Sequence, residues 1–341
     1  MQVVCCDEAG AGRWNAYVDA APASFYHRFE WVAINRDCFG HRSAYLMALD
    51  DDRIVGILPL VQVKSRLFGN LACSLPFVNY GGPVADRPDI EAALLRAASD
   101  VAAEWNVDYV ELRSRRHLGD DMPVSDHKVS MTMALDPDPD KLWNAFKTGH
   151  RQDIRKGYKN GFTAKIGLGE LLDDFYTVFS ESWRDLGTPA YSKRYFQRIV
   201  SVFGGSVRLC VVYHDGVPAA AAFDGHHMGT VEGMWLGTRS MYRNQNVGYV
   251  LYWELIKHAC EQGFTRFHLG RSTAHSGAET FKKKWQAEVE PLYWHYMLRR
   301  RPQIPKLNVD NPKYRLAIGA WQRLPVAFTN FVGPFIARSI P

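Results

Sequence analysis

Apolar positions in the second half of the chain change period several times, and each change predicts an element. Three apolar segments, V-R-L-C-V-V-Y at 207–213, V-P-A-A-A-A-F at 217–223 and T-V-E-G-M-W-L-G at 230–237, are separated by short turns and predict a three-stranded antiparallel meander. The spacing then becomes four: Val247, Leu251, Leu255 and Ala259 line one face of a predicted helix, with Gly263 placed to end it. F-T-R-F-H-L follows as a strand, and V-E-P-L-Y-W-H-Y-M-L is expected to close the unit. Ahead of the meander the pattern predicts a basic helix over 140–160, a short strand over 162–166, and two helices over 171–184 and 193–203, with Gly187 and Pro189 marking the loop between those two.

The first half has the same order. M-Q-V-V-C-C, two helical stretches, A-Y-L-M-A-L, an acidic turn at 50–52 and I-V-G-I-L-P-L-V-Q-V precede a third strand, a helix and two more strands. E-W-N-V-D-Y-V-E-L from Glu104 aligns without a gap on E-Q-G-F-T-R-F-H-L from Glu261, an offset of 261 − 104 = 157. The order reads as an internal duplication with a boundary near 135–140, where D-P-D-P-D forms a linker-like stretch. A meander followed by a helix and a strand parallel to the last meander strand is a mixed sheet, since the helix allows the parallel return.

Composition narrows the class. A chain of 341 residues, 47% hydrophobic and 23% charged, has enough apolar residues for two domain cores. The net charge of +5 and pI near 8.8 mildly favour anionic partners without choosing among phosphates, nucleic acid or an acidic membrane. No run approaches about 18 apolar residues, so the expectation is a cytoplasmic chain, free or at the inner face of the membrane. Cys5, Cys6, Cys38, Cys73, Cys210 and Cys260 lie in apolar segments without a C-x-x-C pair and read as core thiols. His226 and His227 read as residues of a polar turn, D-G-H-H-M-G, rather than as a metal site.

The order of elements resembles the GNAT acetyltransferase fold, in which the two parallel strands splay and the helix between them aims its N-terminus at the gap. The resemblance implies an α/β protein of two tandem GNAT-like domains, each a mixed, mostly antiparallel sheet flanked by helices, over 1–137 and 138–300, with a helical tail over 301–341 packing on the first domain. R-N-Q-N-V-G at 243–248 resembles the GNAT pyrophosphate loop, with Asn246 where that loop has its first glycine. Arg243, Asn246 and Gly248 are therefore the donor-binding candidates. Asparagine tolerates a left-handed backbone, but its side chain obstructs a pyrophosphate, so a different donor or phosphate geometry is expected; Asn244 or Asn246 reads equally well as a helix N-cap.

Gly277, Phe281, Lys282 and Trp285 resemble the F-K motif of the FemAB aminoacyltransferases, which are also tandem GNAT-like proteins. S-L-P-F-V-N-Y-G-G at 74–82, R-D-L-G-T-P at 184–189 and G-R-S at 270–272 are similar to a FemAB branch associated with exopolysaccharide and PEP-CTERM protein-sorting systems. The resemblance implies that Lys282, beside Phe281, serves catalysis; a fixed ammonium stabilises the charge that develops when an amine attacks an ester or thioester. By charge pattern alone, 282–284 would be a solvated helix face. Glu232 and Asp185 are the candidate bases, with substrate-assisted deprotonation as an alternative. Tyr191 and Tyr293 are candidate proton donors to the leaving group, and Tyr191 also a candidate for acceptor binding, although tyrosines in such segments are more often core residues with a satisfied hydroxyl. Arg271, at the carboxyl end of a strand, suits a phosphate or carboxylate clamp or a structural ion pair.

Lys147, Arg151, Arg155 and Lys159 recur every four residues, with Lys156 beside them, giving a basic face for the diphosphate of a nucleotide- or lipid-linked acceptor or for the acceptor stem of a transfer RNA. In the tail, Arg315, Arg323 and Arg338 interleave with Trp321, Phe328, Phe331 and Phe335, a pattern suited to packing on the first domain or to peripheral membrane contact. The expected function is N-acyl or aminoacyl transfer to an amino group on a cell-envelope or exopolysaccharide precursor. The expected enzyme has no permanently bound cofactor or metal, takes aminoacyl-tRNA, acyl-CoA or an acyl carrier protein as co-substrate, and has no DNA partner. The alternatives are an acyl-CoA- or carrier-protein-dependent transferase acting on a small amine or amino sugar, and a non-catalytic glycan-binding scaffold.

Overall fold

A computed structural model describes residues 1–66, 68–304 and 312–341, with the side chains of 312–314 outside the description. The chain forms two compact units, Met1–Ser130 with Glu290–Lys306 and Arg338–Pro341, and Met131–Val289 with Leu307–Ala337.

The first unit runs β1 (Gln2–Cys5), α1 (Ala11–Ala20), α2 (Trp31–Phe39), β2 (Ser43–Asp50), β3 (Arg53–Ser65), β4 (Gly69–Cys73), a short β5 (Val84–Ala85), α3 (Pro88–Glu104) and β6 (Tyr109–Ser114); β7 (Val124–Ala134) leads on into the second unit. Asp51 and Asp52 close the β2–β3 hairpin with φ of 45° and 63°, a left-handed pair whose twist matches that of the flanking strands. Ile90, Leu94, Ala98 and Val101 recur every three or four residues along α3, and this stripe packs against Leu46, Leu58, Leu60 and Leu112 of the strands.

The second unit contains α4 (Pro139–Ala145), α5 (Thr148–Lys159), β8 (Phe162–Gly167), α6 (Leu172–Asp185), α7 (Lys193–Phe203), β9 (Val207–His214), β10 (Val217–His227), β11 (Thr230–Thr238), α8 (Val247–Glu261), β12 (Arg266–His268), β13 (Ser272–Thr273) and α9 (Gly277–Lys283). β14 (Glu288–Leu298), α10 (Pro312–Gln322) and α11 (Val326–Ala337) complete the chain. The expected meander is β9–β10–β11, and β12 pairs in parallel with β11 as β6 does with β4. Both crossover helices end at the aligned glutamates, Glu104 and Glu261, so the 157-residue offset marks equivalent elements. α8 buries Val247, Leu251, Leu255 and Ala259 on one face of the strands. On the other face Phe175, Phe179, Phe196, Phe223 and Trp235 form edge-to-face and stacked pairs, each contributing on the order of 0.5–1.5 kcal/mol beyond its buried area.

Several expectations need correction. The closing strand β14 does not complete the second unit. Its residues Tyr293–Leu298 pair antiparallel with Tyr109–Ser114 of β6, and Trp294 lies under the Arg113 guanidinium at 4.5 Å. Conversely, β7 supplies Thr132–Ala134 as the antiparallel partner of β12. The strand orders are therefore β1-β2-β3-β4-β6-β14 and β8-β9-β10-β11-β12-β7, the same order twice with the last strands exchanged. A division at 137/138 differs from the units for that reason. The two helices of the tail pack on the second unit, where Arg184 donates to the carbonyl of Leu324 at 2.9 Å and Gln322 to that of Asp185 at 3.0 Å, whereas Arg338–Pro341 belong to the first, the Arg338 carbonyl lying 2.9 Å from His41 Nε2. The part of the tail at 305–311 lies outside the described residues.

The single basic helix expected over 140–160 is broken. Phe146 and Lys147 are extended, with ψ of 144° each, which turns the Phe146 ring into the core beside Trp253 and Trp285. His226 and His227 belong to β10, and the turn follows at Met228 and Gly229. Of the cysteines, Cys73, Cys210 and Cys260 are core thiols, Cys6 and Cys38 are half-buried, and Cys5 is exposed.

Candidate active site

The parallel pairing of β11 with β12 lasts three residues, Thr230 to Arg266, Val231 to Phe267 and Glu232 to His268. Beyond that point β11 continues to Thr238 while β12 ends, and the chain bends at Gly270 with φ of +75°. The strands part where two titratable side chains face each other. Glu232 Oε2 and His268 Nδ1 lie 3.1 Å apart, both buried. Register explains the pairing: adjacent parallel strands put Glu232 and His268 on the same face, opposite the apolar pair Val231 and Phe267 that packs toward α8.

The amine of Lys282 reaches the same junction from α9. Nζ donates to the carbonyl oxygens of Gly270 at 2.8 Å and Arg271 at 3.1 Å, and the residue is only 5% exposed. A Cβ on Gly270 would lie 2.9 Å from the Gly233 oxygen and 3.7 Å from Lys282 Nζ, so only glycine permits this crossing. Burial, reinforced by the Arg271 charge, lowers the Lys282 pKa to about 7. Near neutrality both forms are therefore present. With two donors held by carbonyls, the ammonium keeps one N–H to give and the free amine keeps a lone pair.

α9 alternates its duties by helical geometry. Glu279 and Lys282 face inward, whereas Phe281 lies over the first turn of α8, with ring contacts to Tyr249 at 5.0 Å and Tyr252 at 5.3 Å. Its Cζ would be 3.8 Å from a Cβ on Gly248. Ser276 caps α9 by accepting from the Glu279 N–H, and Trp285, fully buried, anchors the segment against Phe146 and Tyr252.

Around the expected donor loop, Asn246 has the left-handed backbone, φ +65°, and stands at the N-cap position without capping α8. Its Nδ2 donates instead to the Asp153 carbonyl at 2.8 Å, while Asn160 donates to the Gln245 carbonyl at 3.0 Å. α5 lies directly on this loop: a Cβ on Gly157 would be 2.9 Å from the Asn246 oxygen. Arg243 is exposed, its Nε 3.4 Å from the Thr238 carbonyl. The first turn of α8 is thus occupied on one side by α5 and on another by Phe281, which leaves the pyrophosphate geometry of the resembled loop unsupported.

The remaining candidates have local partners. Asp185 ends α6 with its carboxylate 2.7 Å from Arg184 Nε and its carbonyl held by Gln322, so it anchors the tail. Tyr191 is buried among Trp183, Tyr195 and Trp235, and its carbonyl accepts from Tyr176. Tyr293 falls in the first unit, against His117. Arg151 reaches Thr148 at 3.5 Å, Arg155 stacks on Trp143 at 5.3 Å and Lys156 lies 3.8 Å from Asp153. Arg151, Arg155 and Lys156 of the basic stripe thus have local partners on or beside α5.

Two buried polar residues, the site's His268 and the more distant Asp224, carry no signal in the sequence pattern. His268 was visible only as one residue of an apolar strand; laying F-T-R-F-H-L beside T-V-E-G in register would have set it opposite Glu232. Asp224, on β10 across from Gly233, is a buried carboxyl whose pKa burial raises to about 8. Among the described residues no cluster of histidine, cysteine, aspartate or glutamate could hold a metal ion.

Residues 146–283 match the family model described as an acetyltransferase (GNAT) domain. The matched stretch begins at Phe146 and ends one residue beyond Lys282, so it contains the strand junction and both F-K residues. Among solved structures the chain is similar to FemX at 15% identity and a TM-score of 0.68, over 89% of this chain and 98% of that one. It is also similar to the L-PGS of Bacillus licheniformis, at 14% and 0.56 over 92% and 97% of the two chains. A tandem GNAT protein from the clavulanic acid biosynthesis pathway matches at 13% and 0.54 over 89% and 99%. No curated protein matches the chain in sequence. At these identities the structural likeness establishes the tandem fold, and together with the domain match it supports an acyltransferase.

Proposed function

We propose that the protein is an N-acyltransferase of FemAB type that passes an acyl or aminoacyl group directly to an amino group on a cell-envelope or exopolysaccharide precursor carried on a nucleotide or lipid. The observation that carries this reading is the buried amine of Lys282 at the parting of β11 and β12. In the proposed step the acceptor nitrogen forms a bond to the acyl carbon, and the bond from that carbon to the leaving oxygen or sulfur breaks. The proton shed by the nitrogen passes to the Glu232 carboxylate, whose charge His268 steadies, and the ammonium of Lys282 protonates the leaving group. Solvent then takes the proton from Glu232 and returns one to the Lys282 amine, which resets both groups. Arg271, half-buried beside the amine, is the proposed clamp for a phosphate or carboxylate of the acceptor.

For the donor, the GNAT match favours an acyl thioester of coenzyme A, whereas the F-K motif favours aminoacyl-tRNA. An acyl carrier protein is the third choice. Pure protein incubated with each radiolabelled donor and a precursor extract separates them: product that survives ribonuclease removes transfer RNA. Lys282→Ala is expected to lower turnover by about 10²–10³-fold, the range for losing one fixed donor to a developing charge. Full turnover in the folded variant would leave a glycan-binding scaffold as the better account.

A further inference from the structure

A cleft of about 560 Å³ opens at the start of α5, lined by Lys147, Gly149, His150, Asp153, Lys283 and Lys284, among others. Among the described residues no side chain caps the first turn of α5, and the N–H groups of Thr148, Gly149 and His150 have no acceptor within the helix. Inside the cleft His150 is 7% exposed, wedged edge-on to Trp285 at 4.3 Å, and among the described residues neither ring nitrogen has a hydrogen-bond partner. A buried imidazole without partners is costly unless something completes it. Three ammonium groups face one carboxylate here: Lys283 also meets Glu279, Lys284 donates to the Tyr249 hydroxyl at 2.7 Å, and Asp153 accepts from Asn246 at 3.5 Å. We infer that this cleft binds the phosphate of a small phosphate ester, held by the α5 N-terminus, the lysines and an imidazole N–H of His150.

Nothing in this inference depends on the acyl-transfer reading, and its test is binding alone. Calorimetric titration of the intact protein with inorganic pyrophosphate should give saturable binding that weakens with salt. His150→Phe, which keeps a flat ring and removes both nitrogens, should weaken it by about tenfold or more, as should the exposed change Lys147→Ala; Arg243→Ala should not. Absence of binding, or equal affinity in a folded His150→Phe and in Lys147→Ala, would overturn the assignment.

A second inference rests on α11. The helix turns its small residues inward: Thr329, Gly333 and Ala337 are buried, and a Cβ on Gly333 would be 3.2 Å from the backbone of Ala190. Phe328, Phe331 and Phe335 point outward, 49%, 72% and 60% exposed, with Leu316 of α10 at 74%. This inverts the usual order of a surface helix. The tail is anchored, since Asn330 lies 3.4 Å from the Ser180 hydroxyl and Arg184 holds Leu324, so the aromatic face is presented rather than loose. Residues 311–341 carry Lys313, Arg315, Arg323 and Arg338 and no aspartate or glutamate. The geometry points to an anionic lipid surface as the occupant of this face. The full chain should float with phosphatidylcholine–phosphatidylglycerol vesicles and remain in solution with phosphatidylcholine alone. The triple change Phe328→Ser, Phe331→Ser, Phe335→Ser should lower partitioning by about a hundredfold or more. Failure to bind anionic vesicles, binding unchanged in the folded triple variant, or a dimer that the triple change dissolves would overturn the proposal.

Discussion

Lys282 and Asp224 are both buried titratable residues, and they differ in what burial does to stability. Lys282 has its pKa lowered to about 7, so the folded state holds its proton less tightly than the unfolded chain. Its stability contribution is present above pH 10.5 and is lost as pH falls through about 7. Lys282→Met is therefore expected to raise the urea midpoint at pH 6 and to change it little at pH 10.5. Activity has the opposite dependence, because protonating the leaving group requires the ammonium: kcat/KM should fall as pH rises through about 7. A residue that gains stability on removal while losing turnover is the signature of a catalytic rather than a packing role. Asp224 runs the other way. Its pKa is raised to about 8, so its favourable contribution is present below pH 3.8 and lost as pH rises through 8. Asp224→Asn should stabilise the fold by about 1–3 kcal/mol at pH 8.5, read by urea unfolding, and by little at pH 4.

The elements were legible wherever period and punctuation agreed. The meander, α8 with Gly263 after it, and the parallel return of β12 all follow from local patterns, because each is formed by contiguous residues with one buried face. The junction was legible in part: Lys282 through its motif, Glu232 through its place on a strand, but not their meeting with His268, which depends on register between segments about thirty residues apart. The break at Phe146 was hidden because a long basic stretch satisfies helical propensity, and only the pull of the Trp253–Trp285 core on one aromatic ring overrides it. Charge pattern was incomplete for a related reason. The stripe on α5 counts cations without showing that Trp143, Thr148 and Asp153 engage them. What α5 does instead is lie on the entry to α8, through a contact that only a glycine at 157 admits. Gly157→Val should force the helices apart and cost about 1–3 kcal/mol, measured as a lowered urea midpoint.

For the molecule as a whole, the repeat predicts strand order and misplaces strand ownership. Within each unit the sixth strand must run antiparallel to the strand that follows the crossover helix, and nothing in local sequence says which of the two copies supplies it. The chain answers by exchange: β14 pairs with β6, and β7 with β12. A division at the linker-like D-P-D-P-D stretch therefore cuts through neither core and yet deprives both. A fragment 1–137 lacks β14, and a fragment 138–341 lacks β7, so β6 in one and β12 in the other become open edges with unpaired backbone groups. Since β12 carries His268, the second fragment loses the neighbour that holds the candidate site from one side. Each fragment expressed alone is expected to aggregate or to bind a hydrophobic dye strongly. The two expressed together should recover soluble protein with the dichroism of the intact chain. A monomeric, cooperatively unfolding fragment 138–341 would show instead that the exchanged strand is dispensable to the second unit.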